Sequence, residues 1–127
     1  MSFAAGDTFL NTPARGAPTH LWLIISDPEL DPDQVLIVNV ATWREGEDAS
    51  CRLGRGEHSF IKHDSYVNYY DAKVVSELTL RDLETKRLIN WQSPLSTQLL
   101  AKVRKGALNS PLLALAKRQI LDDQDLI

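Results

Sequence analysis

Two apolar runs constrain what this chain can become. Residues 20–26 read His-Leu-Trp-Leu-Ile-Ile-Ser, apolar without a break through the middle five positions. Residues 35–42 read Val-Leu-Ile-Val-Asn-Val-Ala-Thr. Runs this short, and this rich in β-branched and bulky side chains, favour strands buried on both faces over helices. Between them Asp27-Pro28 and Pro32-Asp33 stop the chain twice, because proline fixes φ and has no amide hydrogen to donate. Two buried strands joined by such a turn pair as an antiparallel hairpin. The remaining segments must cover it.

Upstream, Gly6-Asp7 opens Thr8-Phe9-Leu10, which reads as an edge strand. Residues 11–19 hold Pro13, Gly16 and Pro18 and read as a loop. Downstream, residues 43–50 are polar and acidic, a surface loop, and Cys51-Arg52-Leu53 fits a short strand. Residues 65–70 alternate as a strand does, and residues 72–75 read as another strand piece. In residues 76–88 the leucines at 78, 80, 83 and 88 fit neither period cleanly, with helix slightly favoured. Ser93-Pro94 and Ser110-Pro111 each offer a serine N-cap before a proline at the first helical position. After the first, Leu95, Leu99, Leu100, Val103 and Ala107 share one helical face, and Gly106 falls near its end. After the second, Leu112, Leu113, Leu115, Ala116 and Ile120 begin a shorter helix. Strands first and helices last is an α+β order, with a small antiparallel barrel or sheet packed by C-terminal helices.

A length of 127 residues suits one domain with a real core. No apolar run approaches a membrane span, and the N-terminus lacks the basic and apolar regions of a signal peptide. A single cysteine, Cys51, excludes an internal disulfide and a cysteine-built zinc site. A cytoplasmic protein is the simplest expectation. Net charge is −3, unevenly spread: acids dominate residues 1–33, whereas residues 101–118 hold Lys102, Arg104, Lys105, Lys117 and Arg118 with no acid. An acidic whole gains little from non-specific steering toward nucleic acid, although a local basic face can still hold phosphates.

The richest chemistry lies in residues 54–69, Gly-Arg-Gly-Glu-His-Ser-Phe-Ile-Lys-His-Asp-Ser-Tyr-Val-Asn-Tyr. Proton transfer and phosphate binding by such side chains need a base, an acid and positive charge, and no metal or cofactor. His20, His58, His63 and Lys62 are the groups at hand, with the Thr42 hydroxyl as a further donor. His20 begins a buried strand after a Pro/Gly loop, a common site position and equally a place for a half-exposed histidine without a role. His58 and His63 are five apart in a loop with no third metal ligand in view; an ordinary loop histidine is the plainer reading of at least one. Lys62 and Arg55 flank the same loop. Ser65 lacks a nucleophile elbow and is better explained as a strand-opening hydroxyl. Tyr66, Tyr69 and Tyr70 suit cross-strand packing as well as base stacking. Trp22 fits the core, Trp43 a stacking surface, and Cys51 a small buried hydrophobe.

These segments resemble the MazF/PemK/Kid toxins, small SH3-like barrel endoribonucleases of bacterial toxin–antitoxin pairs. Gly6-Asp7-Thr-Phe-Leu is similar to the family's opening strand, and His20–Ser26 to its Arg-Pro-apolar-Ser strand. Val35–Thr42 is similar to the strand ending in threonine, Ser65-Tyr-Val to a serine-led strand, and residues 93–107 to the C-terminal helix. The resemblance implies an SH3-like β-barrel and metal-independent cleavage of single-stranded RNA. It also implies a homodimer and an antitoxin protein as partner. It places the family's catalytic arginine at His20 and its catalytic threonine at Thr42. Histidine can move protons near neutral pH but lacks arginine's fixed charge and bidentate grip. The catalytic set expected is His20, Thr42 and His63; Arg55, His58, Lys62, Ser65 and Trp43 are expected at the RNA. A non-catalytic binding module and a CcdB-type gyrase inhibitor are the alternatives. The geometric expectation is that His20, Thr42 and either His58 or His63 open onto one surface.

Overall fold

The computed structural model describes residues 3–12 and 18–127. It is α+β, one antiparallel sheet of six strands with three helices. In chain order these are β1 (Thr8–Asn11), β2 (Leu21–Ile24), β3 (Val35–Thr42), β4 (Arg52–Leu53), β5 (Ser65–Val75), α1 (Glu77–Thr85), β6 (Ile89–Gln92), α2 (Thr97–Asn109) and α3 (Leu115–Asp123). The two apolar runs form the expected hairpin, with Leu21 opposite Val40 and Ile24 opposite Ile37. The loop expected over residues 11–19 lies partly outside the described residues, Pro13 and Gly16 included.

The strands lie in the order β4-β5-β3-β2-β1-β6. The sheet is open: β4 and β6 are its edges, and among the described residues no ladder joins them. The α+β order is as expected, and the strands form an open sheet, without the closure that the barrel expectation requires, among the described residues. Leu99, Val103 and Ala107 of α2 and Leu121 of α3 pack on Leu21, Leu23, Leu36, Val38 and Val67, filling one face. The other face carries Phe9, Trp22, Ile24, Val35 and Ile37, covered by Phe3 and by Leu80 of α1. Side chains alternate between faces along a strand, so β2 and β3, apolar at nearly every position, feed both cores.

Other local expectations are also corrected. β1 is interior, paired with β2 on one side and β6 on the other. The two strand pieces expected after residue 65 are one strand. Its register against β3 shifts between Ile37, opposite Lys73, and Asn39, opposite Asn68. Residues 69–72 bulge there, and the buried Asn39 amide donates to Asp71 at 2.6 Å. The serine caps move as well. Ser96, not Ser93, caps α2 by accepting from the Leu99 amide at 3.1 Å. Ser110 ends α2 instead of starting α3, whose N-cap is Ala114.

Candidate functional site

The hairpin register decides where the site forms. With Leu21 opposite Val40, the residue before β2 and the last residues of β3 share one end of the sheet. Thr42 in turn pairs with Ser65, so the loop entering β5 returns to the same end. The Trp43 amide donates to the Asp64 carbonyl at 3.0 Å and holds that loop in place. His20, Thr42, Lys62, His63 and Ser65 thereby line one cleft of about 280 Å³.

Each polar group in it has a defined setting. The His20 backbone amide donates to the Asn11 side chain at 2.9 Å. Its Nδ1 lies 3.3 Å from the Val40 carbonyl, which only accepts, so Nδ1 carries the proton and Nε2 keeps a lone pair. Thr42 Oγ1 lies 3.0 Å from His63 Nε2. The buried Ser65 hydroxyl donates to the His63 carbonyl at 3.0 Å, fixing the backbone beneath that imidazole. Lys62 is exposed and forms no ion pair among the described residues. No acid lines the cleft; Asp64 is drawn toward Arg52, at 4.0 Å. The cleft therefore presents one lysine, two imidazoles and a hydroxyl donor with no opposing acid, a setting that suits an anion.

The other expected residues lie elsewhere. His58 is buried, 6% exposed. Its Nδ1 accepts from the Phe60 amide at 3.0 Å, which leaves the proton on Nε2, 2.6 Å from the Ser93 carbonyl. Both ring nitrogens are occupied inside the protein, so His58, expected at the RNA, is instead a tie between this loop and the segment before α2. Arg55 sits exposed in the turn that Gly56 makes with φ of +92°, away from the cleft. Trp43 directly follows β3 and does not line the cleft. The Arg52 guanidinium lies 4.0 Å over its ring, and Tyr66 meets it edge-on at 5.9 Å. Burial and a bond to Glu47 push the Tyr66 hydroxyl up to about 12, so it stays a donor. Tyr69 and Cys51 are buried, and burial pushes both upward, leaving Cys51 a poor nucleophile.

Elsewhere, Glu57 joins the loop to α2 through Lys102 at 3.0 Å. Burial pushes its carboxyl up, but the Gly54 amide and Lys102 outweigh this and hold it below the usual range. A larger cleft, about 430 Å³, is distant from this chemistry: it gathers Asp31, Asp123 and Asp125 beside Leu30 and Ile120. It has neither an imidazole nor a cation, so the smaller cleft is the better candidate. Among the described residues no cluster of His, Cys, Asp or Glu is suited to a metal ion.

Sequence reasoning missed the apolar part of the cleft. Pro18, Phe60 and Ile61 share its lining with the histidines. The signal was an apolar pair, Phe60-Ile61, inside an otherwise polar loop directly before Lys62-His63. No protein-family model matches this chain, and no curated protein matches it in sequence.

Proposed function

We propose that this chain is a metal-independent endoribonuclease for single-stranded RNA, the toxin of a type II toxin–antitoxin module of the MazF/PemK kind. The observation that carries this reading is the meeting of two imidazoles, a threonine hydroxyl and a free lysine in one cleft without an acid. His20 Nε2 takes the proton from the ribose 2′-hydroxyl. The 2′ oxygen attacks phosphorus as the bond to the 5′ oxygen breaks, and protonated His63 gives that oxygen its proton. In its charged form His63 donates through Nε2 to Thr42 and keeps Nδ1–H for the leaving group. Lys62 and the Thr42 hydroxyl face the charge that develops on the phosphorane. The products are a 2′,3′-cyclic phosphate and a 5′-hydroxyl.

The open sheet is taken as an unclosed relative of the family's SH3-like barrel, with homodimerisation, an antitoxin partner and a cytoplasmic setting carried over from the resemblance. No helix among the described residues is long and apolar enough to cross a membrane. A non-catalytic binding module is the second reading, favoured by histidine standing at the position of the family's arginine.

The test is incubation with an unstructured RNA in the presence of a chelator. The expected result is fragments ending in cyclic phosphate, with His20→Ala and His63→Ala each slowing cleavage by about 10²- to 10⁴-fold. RNA left intact by the unaltered protein sinks the nuclease reading in favour of the binding module. Cleavage that survives both substitutions sinks the assignment of the two histidines.

A further inference from the structure

The cleft has two halves of different chemistry. One is polar, with His20, Thr42, Lys62 and His63; the other is apolar, with Pro18, Val40, Phe60 and Ile61. Ile61 is buried, 4% exposed, and anchors the loop in the core. Phe60 beside it is 40% exposed and turned to the cleft. Its ring pairs with no other aromatic among the described residues. Its backbone is held in place, because its amide donates to the buried His58 ring, itself bonded to the Ser93 carbonyl. An open aromatic face on an anchored backbone, beside a lysine, two imidazoles and a hydroxyl, has the composition of a nucleotide site: a ring to stack on a base and polar groups for its phosphate.

We infer that the cleft seats a single nucleotide, its base stacked on Phe60 and its 3′-phosphate held by Lys62, His63 and Thr42, so that Phe60 sets base preference. This rests on the ribonuclease reading and adds the part of the substrate that the site recognises. A volume of 280 Å³ lies just below the range of about 300–1,000 Å³ typical of small-molecule pockets. That is room for one nucleotide and not for a run of them. Stacking is tolerant of base identity, so the preference is graded across the four bases.

The experiment measures binding of the four nucleoside 3′-monophosphates and of inorganic phosphate by titration, followed through the backbone amide signals of residues 60–65. The unaltered protein is expected to bind nucleotides more tightly than phosphate. Phe60→Ala is expected to lose about 10- to 100-fold in nucleotide affinity with phosphate binding unchanged, and Phe60→Trp to restore it. Because Phe60 is half in solvent and outside the core, both variants are expected to melt with the parent. A Phe60→Ala variant that binds nucleotides as the parent does overturns the inference, as does equal affinity for phosphate and nucleotides. The cleavage assay separates this from the parent reading. Nucleotide binding that depends on Phe60 without RNA cleavage leaves the seat standing and removes the nuclease; cleavage with unchanged base preference in Phe60→Ala does the reverse.

Discussion

At the scale of single residues, Gly106 stands out among the described glycines as the one with no room for a side chain. Gly106 faces Tyr69 and Cys51 across the junction of α2 with β4 and β5. A Cβ there would overlap the Tyr69 hydroxyl and stand 2.7 Å from Cys51 Cβ. The tyrosine cannot easily give way, because its hydroxyl donates to the Val103 carbonyl at 2.6 Å and its ring is 1% exposed. In a helix interior, alanine in place of glycine ordinarily gains about 1 kcal/mol. Overpacking costs about 1–3 kcal/mol, and here it acts against a bonded group and a main chain at once. Gly106→Ala is therefore expected to lower stability by up to about 2 kcal/mol, the difference of those two effects, as measured by urea denaturation. Tyr69→Phe in the same background should recover part of the loss, since it removes the overlapped oxygen. A gain in stability on Gly106→Ala would show that α2 moves away freely.

At the scale of elements, Asp48 joins what the ladder does not. It sits in the loop after β3, accepts from Ser50, and takes a 2.5 Å bond from Ser110 at the end of α2. Burial pushes its carboxyl up, but the Ser110 and Ser50 bonds together leave it below its ordinary value. A carboxyl lowered by folding contributes stability above its unfolded value, about 4, and loses it as pH falls through the folded value. Asp48→Ala is expected to cost about 1–3 kcal/mol at neutral pH, as loss of a charged acceptor does. The deficit should shrink below about pH 4 as the parent's carboxyl is protonated; a deficit independent of pH would make the loss one of packing. The same junction shows why the caps were misplaced from sequence. A Ser-Pro pair marks a helix start only if the helix follows at once; Ser110 is drawn to Asp48, distant in sequence, and α3 starts later. β6 was hidden for a related reason. Its four residues follow helix α1 closely, and leucines that look like core, such as Leu78 at 77% exposure, face solvent. By contrast β2, β3 and their hairpin were legible because continuous apolar runs admit few other structures. The shared end of His20 and Thr42 follows from that hairpin alone. Closure was not legible, because it depends on whether two edges far apart in sequence meet, and no local pattern encodes that.

At the scale of the whole molecule, one sheet carries two cores and an acidic net charge of −3. Global attraction therefore contributes little to meeting an RNA, and the local cations must supply the electrostatics. Two arrangements compete. If RNA engages the cleft between β2, β3 and the residue 58–63 loop, the phosphate contacts are few: Lys62 and one protonated imidazole. If it lies along α2 and α3, Lys102, Arg104, Lys105, Lys117 and Arg118 multiply the contacts. Three of those five cations are already engaged: Lys102 with Glu57, Arg104 with the Ile25 carbonyl, and Lys117 with the Ala72 carbonyl. The cleft is thus the expected seat. For single strands the salt slope of binding is about −0.7 per phosphate contact, so two contacts give a slope of about −1 to −2. Binding of a 2′-O-methyl oligonucleotide, which cannot be cleaved, measures this directly across salt concentrations. Lys62→Ala is expected to flatten the slope by about 0.7, whereas Lys105→Ala leaves it alone. A slope steeper than about −3 that falls with Lys105→Ala would move the RNA to the helices. It would leave the two imidazoles facing a cleft that RNA does not enter.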